Sequence, residues 1–297
     1  MRHKNKIKRH FRKLLMLVVV LILGTGIYLN CFAKTNNKVE DEFRVLEVNK
    51  KVDTNQISSE AQALLQATEK PTEAPKKEME KVEKVEQEKS GKVVYLTFDD
   101  GPYKSTPELL DVLDKYNVKA TFFVTAQFLT GQKLIDSLKE IDRRGHVVAV
   151  HTFSHRYNEI YSSVDSYLED YEKMADIIFE ATGKRNNIFR FPGGSNAGYS
   201  SHIREDLLSA VKSKGLVYYD WNAYDGDCDG FTGEKLIEKA VTESSYKDKS
   251  ILLMHDIPGK EAVIDALPSI IEQLQKKGYE FRTLSKLVKP IQFESID

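Results

Sequence analysis

The residues best suited to chemistry in this chain are aspartates and histidines that follow short apolar runs. They are Asp99 and Asp100 after VVYLTF, His151 and His155 in HTFSH, and His255 at the end of SILLMH. Two histidines and one carboxylate can form a two-His-one-carboxylate face, which leaves positions on a divalent ion open for water and substrate. The other aspartate could then act as a base beside metal-activated water, as metal-assisted hydrolysis requires.

Two further apolar runs end in polar or aromatic side chains, namely IFRF with Arg190 and LVYYDW with Asp220 and Trp221. Each feature has an ordinary explanation, since Asp-Asp-Gly-Pro is a typical turn sequence and a single histidine is often a core residue. Five run ends that all carry ionisable groups are hard to explain by structure alone. We expect His255 to protonate a leaving group, which requires a raised pKa that a carboxylate such as Asp220 would supply.

The elements that position these residues follow from the apolar spacing after Lys92. The pattern predicts strands at 93–98, 119–125, 146–151, 188–191, 216–221, 250–255 and 279–283. It predicts helices at 105–117, 132–145, 165–183, 202–213, 233–244 and 260–277. This alternation is typical of βαβ units and indicates an α/β fold in which about seven parallel strands form a closed or nearly closed β/α barrel. A doubly wound open sheet is the alternative, and in both folds sites lie at the carboxyl ends of the strands.

The N-terminal region predicts a membrane segment. Residues 1–13 contain seven Lys or Arg and no acid, and residues 14–33 are 20 positions without a charge, enough to span a bilayer as a helix. Positive charge before the span predicts an N-terminus inside and the bulk of the chain on the extracytoplasmic face. We interpret the segment as an uncleaved anchor. A signal peptide cleaved after Ala33, giving a secreted protein, is the alternative.

Composition divides the rest of the chain into three parts. Residues 34–91 are rich in Lys, Glu, Gln, Thr and Ala and predict a charged flexible linker. Residues 92–290 form the predicted catalytic domain, and 291–297 form a tail. The totals of 44 Lys plus Arg and 45 Asp plus Glu give no basic field for nucleic acid.

Cysteine and acid content restrict the kind of metal site. The chain has only Cys31 and Cys228, so neither a disulfide framework nor a CxxC zinc site is expected. The stretch NAYDGDCDGFTG at 222–233 has alternating aspartates, as a calcium loop has, but lacks the later Glu at the required spacing. We therefore interpret it as a solvated loop on the rim of the site.

The motifs TFDDG, HTFSH, RFPGG, DW and LLMH, in this order, resemble the polysaccharide deacetylase family with the NodB homology domain (carbohydrate esterase family 4). The resemblance covers about residues 92–288. It implies a distorted β/α barrel and the metal-dependent removal of N-acetyl groups from amino-sugar polymers.

The resemblance also implies a role for each motif residue. Asp99 is similar to the general base and Arg190 to the residue that orients it. His255 is similar to the general acid, with Asp220 tuning it. The implied metal ligands are Asp100, His151 and His155.

The resemblance implies three residues of the substrate pocket. The backbone N–H of Gly193 would stabilise the oxyanion, while Trp221 and Leu253 would form the walls around the acetyl methyl and the sugar. One departure is that many members have Tyr after Arg-x-Pro, where this chain has Gly193 and Gly194. The departure changes the expected shape of the substrate groove and leaves the expected catalytic residues in place.

The expected activity is hydrolysis of N-acetyl groups on a cell-wall polymer, with N-acetylglucosamine of peptidoglycan as the substrate. The resemblance implies one bound divalent ion. Zinc is the expected metal, and cobalt and iron are alternatives because the same two-His-one-carboxylate face would bind them. Muramic acid, poly-N-acetylglucosamine, chitin oligomers and acetylated xylan stay open as substrates. A non-catalytic carbohydrate-binding module and a hydrolase of non-sugar amides are the rival functions. We expect a monomer with no nucleic-acid partner.

Overall fold

Residues 91–293 are described in the computed structural model of the chain. The expectations for 1–13, for 14–33, for the linker 34–91 up to residue 90 and for the last four residues of the tail 291–297 therefore lie outside the described residues. Within 91–293, no helix is both long enough and apolar enough to cross a membrane. Every candidate site residue lies inside this range.

Eight strands of the described range form one parallel sheet. They are β1 (Lys92–Asp99), β2 (Thr121–Val124), β3 (Val147–Val150), β4 (Ile188–Phe189), β5 (Val217–Tyr218), β6 (Ala223–Tyr224), β7 (Lys249–His255) and β8 (Tyr279–Phe281). A path of seven strands runs β5-β4-β3-β2-β1-β7-β6, and β8 pairs with the start of β1. In the described range β5 and β6 do not pair, so the sheet stays open on that side. The predicted α/β fold with parallel strands is confirmed, and closure into a complete barrel is not observed.

Seven α-helices lie between these strands in the part of the chain that the structure describes. They are α1 (Thr106–Lys115), α2 (Gly131–Arg143), α3 (Tyr157–Ile160), α4 (Val164–Thr182), α5 (Arg204–Ser213), α6 (Gly233–Ser245) and α7 (Glu261–Lys276). Six correspond to helices that the apolar spacing predicts. The sequence does not predict α3 and β6, because elements of four and two residues are too short to show a period.

The two faces of β1 pack against different cores. Val94 and Leu96 belong to the larger core beneath the helices, whereas Val93 and Tyr95 belong to a second cluster on the opposite face. That second cluster also takes side chains from four other strands, namely Phe123, Ala149, Ile188 and Ile251. Since side chains from five strands meet in one cluster, the sheet must curve around this inner face.

The register of the sheet brings the two ends of the site together. Asp99, the last residue of β1, pairs with His255, the last residue of β7, and with Phe123 of β2. The carboxyl ends of β1, β2 and β7 therefore form one continuous rim. The TFDDG and LLMH motifs lie next to each other there, although their first residues, Thr97 and Leu252, are 155 residues apart in sequence.

A buried histidine outside the rim should make the fold sensitive to acid. His146 is 3% exposed, and its Nδ1 accepts a hydrogen bond from the Ala120 N–H at 3.1 Å. Burial, with a smaller contribution from the charge of Lys119, lowers the pKa of His146 to about 4. The unfolded chain takes up this proton below about pH 6.5 and the folded chain does not, so stability is lost as the pH falls from there towards 4.

We predict that His146→Asn, which can still accept the Ala120 hydrogen bond, loses less stability on acidification than the wild type. The free energy of unfolding, measured by urea denaturation at neutral pH and near pH 4.5, should fall by roughly 2 kcal/mol less in the variant. An equal loss in the two proteins would show that His146 is not the acid-sensitive group.

Candidate active site

Asp100, His151 and His155 bring three potential ligand atoms together at the carboxyl end of the sheet. The Asp100 Oδ1 lies 3.3 Å from the His151 Nε2 and 3.1 Å from the His155 Nε2. Burial opposes ionisation of Asp100, but the two adjacent histidines outweigh it and hold the pKa of its carboxyl well below the usual range. The structure thus brings together the three ligands that the sequence predicted.

The HTFSH segment is a loop after β3 and not a helical turn, and its neighbours hold it rigidly. The Asp170 carboxylate of α4 accepts hydrogen bonds from the N–H of Phe153 at 2.6 Å and of Ser154 at 3.0 Å. The Thr152 Oγ1 accepts from the His155 N–H at 3.1 Å. His155 itself has φ 55°, which is unfavourable for a side chain other than glycine. Strain of this kind is typical of functional positions.

The three side chains fit a divalent metal ion. A tetrahedral ion with bonds of about 2.0 Å needs nitrogen and oxygen ligands about 3.3 Å apart, close to the observed separations. Among residues 91–293, the buried Asp100 Oδ1 has no hydrogen-bond partner. The His151 Nδ1–H donates to the Arg190 carbonyl at 2.8 Å, which leaves its Nε2 lone pair directed at the site. A bound ion would polarise a carbonyl and lower the pKa of water.

Asp99 lies beside this triad and is held by a buried arginine. The Arg190 side chain is 0% exposed and donates from Nη1 to the Asp99 Oδ1 at 2.8 Å. Three more hydrogen bonds fix the guanidinium, to the Thr97 Oγ1 and to the Tyr219 and Asp220 carbonyls. The other oxygen of Asp99, Oδ2, is 3.9 Å from the His151 Nε2. One oxygen is therefore neutralised and oriented while the other faces the triad, the geometry expected of a base.

The carboxylate beside His255 is Asp227 and not Asp220, so the predicted pairing of Asp220 with His255 is wrong. The His255 Nδ1 lies 3.0 Å from both oxygens of Asp227, and the His255 N–H donates to Oδ2 at 2.9 Å. Burial opposes protonation of His255, but Asp227 and the neighbouring Cys228 outweigh it and raise the pKa of His255 to about 11. His255 is thus held as an imidazolium that can donate a proton.

Asp220 instead fixes the loop that carries the two glycines. Its carboxylate is 0% exposed and accepts from the Ser195 N–H at 2.9 Å, the Ser195 Oγ at 2.6 Å and the Phe293 N–H at 2.7 Å. Residues 291–293, at the start of the predicted tail, are thereby tied to the site. The sequence assigned Asp220 to His255 because it follows a strand, but strand position does not determine which way a residue past the strand points.

The 222–233 loop is also more than the solvated rim loop that the sequence predicted. Asp225 and Asp227 are buried, and the Asp227 N–H donates to the Asp225 Oδ1 at 3.0 Å. The aspartate-rich run DGDCDG was the one feature of the sequence that could have indicated a role for this loop in the site. The expected need of His255 for a carboxylate partner could have connected the loop with His255. This stretch supplies Asp227 and Cys228 from its loop and Tyr224 from the short strand β6, and the sequence did not predict these three as site residues.

A cavity of about 270 Å³ lies over these groups. Its lining includes Asp99, the triad, His255 and the predicted substrate-binding residues Gly193, Trp221 and Leu253. Tyr157 of α3 also lines it, with its ring edge-on to His155 at 5.2 Å. A wider groove of about 1140 Å³ adjoins this cavity at His155. A small reactive cavity beside an open groove suits one residue of a longer polymer.

Tyr157 occupies the space that a side chain at position 193 would need. Gly193 has φ 76°, and a Cβ there would lie 3.3 Å from the Tyr157 Cε1. In residues 91–293 the Gly193 N–H makes no hydrogen bond, whereas the Gly194 N–H donates to the Phe191 carbonyl at 2.9 Å. Tyr157 of α3 thus supplies an aromatic wall in place of the Tyr that this chain lacks after Arg-x-Pro, and the Gly193 N–H stays available for substrate.

We predict that Gly193→Ala lowers kcat/KM roughly tenfold, because the added methyl group presses on Tyr157 and displaces the N–H donor. Gly278→Ala is the matched control, since Gly278 has φ 83° and nothing within 4 Å of an added Cβ. Both variants should lose about 1–2 kcal/mol of stability from the left-handed backbone. Equal kinetics in the two variants, measured as acetate release, would contradict a role for the Gly193 loop.

Comparisons with known proteins agree with this geometry. The family described as polysaccharide deacetylase matches residues 86–219. A putative polysaccharide deacetylase of Bacillus subtilis, YheN, is 32% identical over 207 residues, which cover 67% of this chain and 70% of the relative. The chain belongs to the polysaccharide deacetylase family.

Relatives in this family carry more specific names. A peptidoglycan-N-acetylglucosamine deacetylase of Bacillus cereus is 32% identical over 71% of this chain and 76% of its own length. The crystal structure of the catalytic domain of peptidoglycan N-acetylglucosamine deacetylase from Eubacterium rectale is 39% identical, covers 70% of this chain and 94% of that one, and superposes with a TM-score of 0.65. Membership of the family, inferred above from five motifs, is confirmed, and the roles of individual residues stay predictions.

Proposed function

We propose that this polysaccharide deacetylase removes N-acetyl groups from a cell-wall polymer, with N-acetylglucosamine of peptidoglycan as its substrate. The observation that carries the proposal is the meeting of three units in one cavity. These are the Asp100, His151 and His155 triad, the Asp99–Arg190 pair and the Asp227–His255 pair. A non-catalytic binding module would have no use for a base, an acid and a metal site around one cavity.

Each unit contributes one part of an amide hydrolysis. Asp99 would take a proton from the attacking water, oriented by the Arg190 guanidinium. The Gly193 N–H would donate to the oxygen that becomes negative in the transition state. His255, kept protonated by Asp227, would then give its proton to the departing amine. The triad would hold one divalent ion, zinc in our proposal, which supplies Lewis-acid activation of water and carbonyl.

The proposed substrate rests on the cavity and on the relatives. Trp221, Tyr157 and Tyr224 give the cavity three aromatic side chains, whose flat faces suit sugar rings. The Bacillus cereus relative and the Eubacterium rectale structure are both named for peptidoglycan N-acetylglucosamine. Since the catalytic groups would serve any acetylated sugar, the choice of polymer needs a direct test.

The test is acetate release by the purified full chain from a panel of polymers. The panel contains peptidoglycan, N-acetylglucosamine oligomers and acetylated xylan, and free amine is measured beside acetate. We expect acetate and amine in equal amounts from the first two. Acetate without amine, from xylan alone, would indicate an esterase. No acetate from any polymer would favour the binding module or a hydrolase of non-sugar amides.

We also propose that residues 14–33 anchor the enzyme at the extracytoplasmic face of the membrane, as a monomer. The proposal rests on the charge and length of residues 1–33. In fractionated cells the chain should be in the membrane fraction, and protease added outside the cells should digest it. A chain lacking residues 14–33 should be absent from the membrane fraction and should be protected from that protease. A secreted chain that begins after Ala33 would favour the signal-peptide alternative. Sedimentation in detergent tests the monomer.

A further inference from the structure

A second group of potential ligands lies across the cavity from the triad. The side chains of Asp227, Cys228 and His255 each offer one donor atom, and these atoms all lie within 4.8 Å of one another. The Cys228 Sγ is 3.5 Å from the His255 Nδ1, and both carboxylate oxygens of Asp227 are 3.0 Å from the same nitrogen. Cys228 is exposed and lines the cavity, so solutes can reach it.

These separations are those of a metal site. A tetrahedral ion with bonds of about 2.0 Å to nitrogen or oxygen and about 2.3 Å to sulfur needs ligands about 3.3 Å and about 3.5 Å apart. The two separations that involve the His255 Nδ1, 3.0 Å to the Asp227 oxygens and 3.5 Å to the Cys228 Sγ, differ from these by a few tenths of an ångström at most. All three donor atoms lie within 4.8 Å of one another. A thiolate with an imidazole and a carboxylate is a donor set that zinc, cobalt and cadmium bind well.

The charge around the group favours a cation. Asp225 and Asp227 are both buried, and within residues 91–293 neither forms an ion pair with a lysine or arginine. The Asp225 Oδ2 has no hydrogen-bond partner in that range. Lys260 faces the loop but donates to the Asp227 carbonyl and not to its carboxylate.

We propose that Asp227, Cys228 and His255 form a second metal site, which takes a soft or borderline divalent ion and inhibits the enzyme when it is filled. The ion would occupy the position between the carboxylate and the imidazole where a proton now lies. Binding requires the thiol and the imidazolium to release their protons to the buffer. An ion on the His255 Nδ1 would take the place of the proton shared with Asp227 and leave a neutral imidazole, whose Nε2–H is a much weaker acid than the imidazolium that would protonate the leaving amine. This inhibitory part rests on the proposed function.

Cobalt titration of the full chain, after chelator treatment, tests the site without any substrate. We expect about two ions per chain, and the second should bring a near-ultraviolet thiolate-to-cobalt charge-transfer band. Cys228→Ser should bind about one ion and lack the band. Cys31→Ser is the matched control, because Cys31 and Cys228 are the only cysteines of the chain. It should keep both the second ion and the band.

Two results would overturn the proposed site, namely no thiolate band in the wild type or a band that survives in Cys228→Ser. Asp100→Asn, which disables the triad, should retain the band. In a second arm, excess zinc should lower acetate release at least tenfold in the wild type and much less in Cys228→Ser. Equal inhibition of the two would refute the inhibitory part. A chain that releases no acetate would refute the proposed function, while the cobalt band would still decide the site.

Discussion

Asp99→Asn should lower the kcat of acetate release by about 10²–10⁴-fold while the metal content and the fold stay unchanged. The amide oxygen of the substituted side chain could still accept the hydrogen bond from the Arg190 Nη1, so the buried guanidinium would keep a partner. What the variant loses is the ability to take a proton from water. The measurement is kcat on N-acetylglucosamine oligomers, with metal content determined on the same samples.

The matched control for this variant is Asp229→Asn, because Asp229 is exposed on the 222–233 loop. This control should keep wild-type kinetics. Two outcomes would contradict the role of Asp99. One is a variant that retains more than about a tenth of the activity, because a general base contributes more than this. The other is loss of metal together with activity, which would make Asp99 a ligand and not a base.

Asp227→Asn should lower kcat by about 10² and move the alkaline limb of the pH profile to lower pH. In the wild type, burial works against protonation of His255, and the Asp227 and Cys228 side chains overcome it to raise the pKa to about 11. The acid form therefore persists through neutral and mildly alkaline pH. Without the Asp227 charge, burial dominates, the pKa of His255 falls, and the proton is lost at a lower pH.

Asp220→Asn separates the observed partner of His255 from the one predicted by sequence. Asp220 contacts Ser195 and Phe293 and not His255, so its variant should destabilise the glycine loop and leave the position of the alkaline limb unchanged. The profiles of both variants are measured at one equivalent of metal. A limb that moves in Asp220→Asn and stays in Asp227→Asn would contradict the assignment.

Residues that adjoin regular strands could be predicted from the sequence. Asp99, His151 and His255 each end or follow an apolar run, and parallel strands bring their carboxyl ends to one edge whatever the details of the sheet. Arg190 could be predicted for the same reason, because it directly follows the apolar residues of β4. Apolar runs also revealed seven of the eight strands, because burial on both faces gives a signal that does not depend on tertiary contacts.

Residues that reach the site through irregular loops could not be predicted in this way. Asp227 meets His255 only because the 222–233 loop folds inward, and Gly and Asp in alternation specify no single conformation. Tyr157 meets Gly193 across 36 residues through a four-residue helix with no periodic pattern. For Asp220 the prediction was correct in placing the residue after a strand and wrong in directing its side chain towards His255.

Metal-dependent acetate release tests the central claim most directly. The full chain is stripped with a chelator, assayed on N-acetylglucosamine oligomers, and assayed again after one equivalent of zinc or cobalt, beside His155→Ala treated in the same way. We predict that activity disappears on stripping, returns with one equivalent in the wild type, and does not return in the variant. Full activity in the stripped protein, or equal recovery in His155→Ala, would contradict a metal held by Asp100, His151 and His155 as the centre of the reaction.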